Sequence, residues 1–280
     1  MKAAQRRVLF CLLLVLGVLA SAVSAFAKSA EMTLVPTRVV LENNDRYATV
    51  TVKNSGDGTG RYRIELVDAT MQEDGGVKLL DNGVRDPFSA LDILSISPRS
   101  MTLKPDEFQT IRILVKNPGS LAPGEYRSHL KVKMTENDLD SEAGPSSAEA
   151  ASIQLKPKLV MVIPLIIRHG ETNYQVRIDS AAFAPAAGDV PPHVNLVFGF
   201  DGNRSVIGDV KIVHVAENGG QTTLKFFPGV AIYRGTAKRS LAVPLEVPAG
   251  VDPRKGKIII SYLTQEKEGA APMAQKEFTP

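Results

Sequence analysis

Apolar and polar residues alternate with a period of two in several segments of this chain, and this pattern constrains its fold more than any other feature. Four such segments lie in the first half, at residues 47–54, 61–66, 108–117 and 125–134. Successive side chains of a β-strand point to opposite faces, so each segment is expected to form a strand with one buried face. Turns rich in Gly, Pro and Asn separate the segments, as in an immunoglobulin-like sandwich.

A second set of strand-like segments follows residues 168–172, where the pattern breaks. The candidates are residues 174–178, 194–200, 206–214, 222–227, 231–234, 240–247 and 257–263, and the tail from Gly269 onward is expected to be loose. No segment shows a credible helical period. The sequence therefore predicts an all-β protein with one immunoglobulin-like domain at 28–168 and a second β-sandwich domain at 169–280.

The first 27 residues have the pattern of a secretory signal peptide. A basic start is followed by the apolar stretch 8–20 and by an Ala-Phe-Ala cleavage pattern that ends at Ala27. The apolar stretch is too short for a stable membrane span. We therefore expect an exported, periplasmic protein that begins at Lys28 and has no membrane span, with a retained N-terminal anchor as the alternative.

Removal of this segment changes the charge balance of the chain. The whole sequence has 33 Lys and Arg against 30 Asp and Glu, a net charge of +3. Three of those basic residues and none of the acidic ones lie in the signal, which leaves 30 of each and a net charge of zero. No general attraction to nucleic acid or to an anionic membrane follows. The single cysteine, Cys11, also lies in the signal, so no disulfide is expected.

Residue patterns that would indicate catalysis are not found. The four histidines are scattered and form no close ligand spacing, and without cysteine there is no thiolate metal site. The sequence has no nucleophile elbow, P-loop or dinucleotide fingerprint. We therefore expect neither an enzyme nor a bound cofactor or metal.

The stretch ASIQLKPKLVMVIP, at residues 151–164, is the most informative about function. Its first half alternates, with Ala151, Ile153 and Leu155 on one side of the expected strand. After Lys158 the run 159–163 is continuously apolar, which predicts a segment buried on both faces. A charge at the junction between these two halves is costly unless a negative group comes to meet it.

Three stretches together resemble the periplasmic pilus-assembly chaperones of the chaperone–usher pathway. They are MTLVPTRVVLENNDRYATVTVKNSG at 32–56, SPRSMTLKPDEFQTIRILVKN at 97–117, and the stretch 151–164. The resemblance covers essentially the whole mature chain and is best in residues 32–165. Better-known members carry aromatic residues and arginine where this chain has 160–163, so the resemblance is to a divergent or archaic branch.

The resemblance implies two immunoglobulin-like β-sandwich domains that are set at an angle with a cleft between them. In that family an arginine on the first strand and a lysine on the last strand of the first domain bind the C-terminal carboxylate of a pilus subunit. By position, Arg38 matches the arginine and Lys158 the lysine, with Lys156 as the rival for the second role. The implied partners are pilus or fimbrial subunits and an outer-membrane usher.

The resemblance also implies a donor strand that the chaperone lends to its subunit. The side chains that would fill the groove of the subunit are Ala151, Ile153 and Leu155, of which Ala151 is smaller than usual in the family. Alternatively, Arg38 and Lys158 are two solvated strand residues, and Ile153 and Leu155 are core residues of an internal strand. A different function, an exported structural or adhesive protein of a surface fibre, is the other alternative.

Overall fold

All regular structure in the part of the chain that the structure describes is β-strand, as the sequence predicts. A computed structural model describes residues 31–42, 45–81, 83–116, 121–137, 159–265 and 269–280, and this part of the chain forms eighteen strands and no helix. None of the described residues forms a helix long and apolar enough to cross a bilayer. The strands build two sandwiches with separate cores.

Eleven strands belong to the first sandwich. They are β1 (Met32–Val35), β2 (Val39–Leu41), β3 (Tyr47–Asn54), β4 (Gly60–Val67), β5 (Ala69–Met71), β6 (Val77–Leu79), β7 (Leu94–Ser97), β8 (Ser100–Leu103), β9 (Phe108–Val115), β10 (Gly124–Asn137) and β11 (Val160–His169). One sheet has the order β1-β3-β9-β7 and the other β2-β11-β10-β4-β8, while β5 and β6 form a separate hairpin. The alternation places Val50, Val52, Ile111 and Ile113 in the core between the sheets, where each is fully buried.

The first strand of this sandwich is divided between the two sheets. Strand β1 pairs antiparallel with β3, the chain then passes through the cis peptide bond Val35-Pro36, and β2 pairs in parallel with β11 in the opposite sheet. Arg38 immediately precedes β2, so the crossing between sheets places it at the start of the strand that lies beside β11.

The prediction that residues 159–163 are buried on both faces is wrong. Val160 is 44% exposed, whereas Leu165, Ile166 and Ile167 are almost fully buried. Residues 163, 165 and 167 belong to the core of the first sandwich, and Ile166 points to the outer face of the sheet. The doubly buried stretch therefore lies closer to the second sandwich, which covers that outer face only near the end of β11.

Seven strands form the second sandwich. They are β12 (Tyr174–Ala184), β13 (His193–Gly202), β14 (Val206–Val215), β15 (Gln221–Ile232), β16 (Lys238–Pro244), β17 (Lys257–Thr264) and β18 (Ala274–Phe278). Its sheets have the orders β12-β13-β16 and β15-β14-β17-β18. Buried aromatic rings join them, since Phe198 packs against Tyr262 with ring centroids 5.1 Å apart.

Two expectations for the second sandwich need correction. The segment 222–227 and the first two residues of 231–234 belong to one strand, β15, whose register against β14 shifts at two irregularities. The tail from Gly269 is not loose throughout, because β18 pairs antiparallel with β17 at the edge of a sheet. Ala274 and Phe278 pack against the core, while the residues between them are too polar to be recognised as a strand from the sequence.

Candidate functional site

The start of β10 and the end of β11 form the surface of the first sandwich that faces the second. The antiparallel register sets Glu125 beside Arg168, Arg127 beside Ile166 and His129 beside Pro164. The side chains of Glu125, Arg127 and His129 all point to the outer face of the sheet. They are nevertheless at most 3% exposed, because the second sandwich covers them.

The carboxylate of Glu125 is the centre of this contact between the sandwiches. It accepts hydrogen bonds from Arg168 Nε at 3.2 Å, from the backbone N–H of Ser205 at 3.0 Å, and from the hydroxyl of Ser205. Arg127 Nη1 lies 3.5 Å from it. A buried carboxylate costs free energy unless such donors surround it, so these residues together hold Ser205 of the second sandwich against the first.

Cation–π contacts of Arg127 and Arg234 extend this contact between the sandwiches, which we call the interdomain joint. The guanidinium of Arg127 lies 3.8 Å from the ring centroid of Tyr233, and that of Arg234 lies 3.8 Å from the ring centroid of Phe88. Arg234 Nη1 also donates to the backbone carbonyl of Glu125 at 2.6 Å. Burial lowers the pKa of Arg127, and the charge of Glu125 opposes that effect. Hydrogen bonds and cation–π contacts therefore cross the joint in both directions.

A second contact between the sandwiches lies at the β5–β6 hairpin. The backbone N–H of Ser240, in β16, donates to the carbonyl of Glu73 at 2.6 Å. Gly75 follows in the same turn with φ of 83°, and a Cβ at this position would collide with the guanidinium of Arg239. Two separate contacts therefore fix the orientation of the sandwiches.

Arg38 lines a cleft between the two sandwiches. Val40 and Glu42 follow it at alternate positions and line the same cleft, as expected for one face of β2. The cleft is a cavity of about 450 Å³ lined by Arg38, Val40, Glu42, Asp45, Arg168, Ser205, Val206 and Ile207. A half-buried guanidinium in a cavity of this size can form charge-assisted hydrogen bonds with a carboxylate.

One edge of β11 is open over residues 160–164. Strand β10 pairs with residues 160–169 on one side, whereas β2 covers only residues 165–167 on the other. The backbone N–H of Met134 donates to the carbonyl of Leu159, so the backbone groups of Val160 and Val162 point away from β10. No described strand pairs with these groups, and an edge of this kind can accept another strand.

The remaining residues that the sequence proposes for the site lie outside the described residues. They are Lys158, its rival Lys156, and the donor side chains Ala151, Ile153 and Leu155. The structure therefore places Arg38 in the cleft and leaves its predicted partner lysine and the donor strand as predictions.

Sequence reasoning missed the joint. The alternation in 125–134 indicates that Arg127 and His129 share the polar face of β10 with Lys131 and Lys133, but it does not show that the second sandwich covers part of that face. One signal that could have found it is the order of the strands, because strands that follow one another in the sequence usually lie next to each other. The start of β10 then lies beside the end of β11, from which the chain enters the second sandwich.

His129 gives the joint a testable dependence on pH. Neither of its ring nitrogens forms a hydrogen bond with a described residue. Burial, and next the charge of Arg127, lower the pKa of His129 from 6.5 to about 4, against an opposing effect of Asp68. The unfolded chain therefore binds a proton at the His129 ring more tightly than the folded chain does. The stability that neutral His129 provides is present above pH 6.5 and is lost as the pH falls toward 4.

We expect the free energy of unfolding to fall by about 2 kcal/mol more in the wild type than in a His129→Leu variant between about pH 7.5 and pH 5. Urea unfolding at the two pH values measures this difference. His193→Leu is the control, because that ring is only partly buried and should leave the wild-type fall unchanged. An equal fall in the wild type and His129→Leu would contradict the assignment.

Comparison with known proteins gives likenesses among solved structures. No family model and no curated protein matches the chain. A chaperone–tip adhesin complex of CFA/I fimbriae matches with 13% identity and a TM-score of 0.46, over 89% of this chain and 98% of that chain. The E. coli chaperone DraB matches with 17% identity and a TM-score of 0.42, over 89% of this chain and 96% of that chain.

A third match comes from an archaic system. It is the CsuC–CsuE chaperone–tip adhesion subunit pre-assembly complex from the Csu pili of Acinetobacter baumannii, with 11% identity and a TM-score of 0.42, over 76% of this chain and 91% of that chain. These solved structures are fimbrial chaperones or their complexes, the family that the sequence resembles.

Proposed function

We propose that this protein is a periplasmic chaperone that captures fibre subunits by lending them a β-strand and delivers them to an outer-membrane usher. The observation that carries the proposal is the open edge of β11, which runs toward a cleft that contains Arg38. The edge offers unpaired backbone groups, and the cleft offers a cation at its end. An extended polypeptide that ends in a carboxylate fits both features.

Strand pairing along the open edge would supply the affinity. When an extended segment pairs with a sheet edge, main-chain hydrogen bonds hold it and alternate side chains give specificity. Residues 151–155 precede this edge in the sequence, and Ile153 and Leu155 share the odd-numbered positions of the core residues Ile163 and Leu165. A strand that continues β11 with a period of two would present them to the groove of a subunit.

The C-terminal carboxylate of the subunit would set the register. Arg38 binds it in the half-buried cleft, together with Lys158 or, as the rival, Lys156. A one-residue slip of the paired strand would turn Ile153 and Leu155 away from the groove of the subunit. A fixed charge at the end of the strand excludes that slip, because the carboxylate then no longer reaches the guanidinium.

Capture is tested by co-expressing the tagged chain with the exported β-rich proteins that are encoded beside it. The complex is purified from the periplasm, and its stoichiometry is measured by native mass spectrometry. We expect a one-to-one complex with a protein that aggregates when it is expressed alone. Recovery of the chain alone, with the neighbouring proteins soluble in its absence, would refute the proposal.

The donor side chains give a prediction with a matched control. Ile153→Ala or Leu155→Ala should weaken subunit binding about tenfold each, because each change removes one apolar side chain from the groove of the subunit. Gln154→Ala removes a side chain of similar length from the other side of the same strand and should change binding less than about twofold. Competition between wild-type and variant chaperones for one subunit measures the ratio, and equal losses for all three variants would contradict the proposed strand.

A further inference from the structure

Arg168 is held by two carboxylates that differ in burial. Glu125 is fully buried and is bound by donors from both sandwiches. Glu42 meets Arg168 Nη1 from the other side, and its side chain is 44% exposed. Arg168 Nη2 lies 3.4 Å from the backbone carbonyl of Ser205, which completes the anchoring of the guanidinium. One of its two carboxylate partners is thus fixed, and the other lies at the solvent side of the cleft.

The strand register explains why Glu42 reaches Arg168. Strands β2 and β11 run in parallel, and Leu41 is paired with Ile167, so residue 42 lies beside residue 168. Arg38, at the other end of β2, lies at the level of Pro164. Arg38, Glu42 and Arg168 all line the same cavity of about 450 Å³. The cleft therefore has an arginine near each end of β2, Arg38 at its start and Arg168 beside its end, and Glu42 forms an ion pair with Arg168.

The position of Arg38 beside Pro164 also affects which cation lies near it in the cleft. Leu159, the described residue next to Lys158, lies five positions before Pro164 along β11, about 16 Å in an extended strand. Within the described part of the cavity lining, the second cation is Arg168.

We infer that Arg168 is a second carboxylate-binding position of the cleft and that Glu42 is its built-in, exchangeable carboxylate. This inference rests on the proposed capture of a chain that ends in a free carboxylate. An incoming carboxylate replaces Glu42 with an equivalent acceptor, so no charge is left buried and unpaired. Glu42 then turns to solvent, where water hydrates a carboxylate that is already 44% exposed. Displacement of Glu125 would instead leave buried charges without partners.

The exchange gives the cleft selectivity. A ligand without a free carboxylate cannot replace Glu42, so an internal loop or a blocked terminus leaves the resident ion pair in place. A free C-terminus can replace it and thereby bind Arg168 in the cavity that Arg38 also lines. Glu42 thus screens ligands by the presence of a terminal charge.

The test uses N-acetylglycine, the smallest mimic of a C-terminal carboxylate, and N-acetylglycinamide as its uncharged counterpart. Both are titrated into the full mature chain while the Nε–H resonance of Arg168 is followed by NMR. That resonance is identified by its absence from an Arg168→Lys variant. Glu42→Gln is the test variant, and Asp45→Asn is the matched control because it removes one negative charge from the same cavity without touching an arginine.

We expect N-acetylglycine to shift the Arg168 resonance and to bind Glu42→Gln about three- to tenfold more tightly than the wild type. Asp45→Asn should change binding less than about twofold, and N-acetylglycinamide should not shift the resonance. Equal tightening in the two variants, a resonance that does not move, or an equal shift by the amide would each overturn the inference. The co-purification test is independent, so failure to capture a subunit would refute the proposed function without altering this titration.

Discussion

Replacing Arg38 with alanine is expected to weaken subunit capture at least about 30-fold while both sandwiches stay folded. The guanidinium lies at the start of β2 and lines the cleft that the carboxylate of the subunit would enter. Loss of one partner of a desolvated, hydrogen-bonded charge pair costs more than loss of an exposed pair, because the other charge is left without compensation. Competition between Arg38→Ala and the wild-type chain for one subunit measures the ratio of subunit bound to each.

The control for Arg38→Ala is Arg46→Ala, which removes the same charge from an exposed position near the start of β3. It should leave capture unchanged. The free energy of unfolding of Arg38→Ala should stay within about 1 kcal/mol of the wild-type value, since the side chain is only half-buried. Wild-type capture by Arg38→Ala would contradict the carboxylate-binding role of this residue.

The same competition experiment shows which of the two lysines, Lys158 or Lys156, binds the carboxylate of the subunit. Lys158→Ala should lose capture as Arg38→Ala does if Lys158 is the anchor, with Lys156→Ala close to wild type. The reverse order would assign the role to Lys156. Wild-type capture by both variants would remove the lysine from the site and leave Arg38 and Arg168 as its cations.

Period-two alternation predicted the strands well because each inward residue is buried by its own sandwich. Strand β3 has the predicted bounds, and Val50 and Val52 point inward as expected. The pattern shows which face of a strand is polar, but it does not show what covers that face. Glu125 and Arg127 therefore read as solvated residues, although the second sandwich buries both.

The candidate site was predictable to a smaller extent. The family resemblance singled out Arg38, which the structure places in the cleft, but a resemblance carries over only residues that the family motif includes. Glu42 and Arg168 are brought together by the parallel register of β2 and β11, a pairing between segments about 126 positions apart that no local pattern encodes. Long-range register of this kind depends on tertiary packing, so local sequence patterns cannot reveal it.

Glu125→Ala is expected to lower the free energy of unfolding by about 3–5 kcal/mol, the largest loss expected for a single polar residue of this protein. The substitution leaves Arg127, which is 3% exposed, without its carboxylate and removes the acceptor that both donors of Ser205 share. Urea unfolding at neutral pH measures the change. Glu125→Gln keeps the size and some acceptor capacity, and should lose about 1.5–3 kcal/mol because only the charge-assisted part is removed.

The matched control is Glu277→Ala in β18. Glu277 lies 2.6 Å from Lys257, and both side chains are about half exposed, so the loss should be below about 1 kcal/mol. The comparison isolates the effect of burial on the free energy of unfolding, since each variant removes one glutamate that is bound by a cation. Because Glu125 joins the sandwiches, Glu125→Ala should also open the cleft and weaken subunit capture, whereas Glu277→Ala should not. Equal small losses for the two variants would mean that the joint does not depend on its buried carboxylate, and that the cation–π contacts and the β5–β6 hairpin hold the two sandwiches together without it.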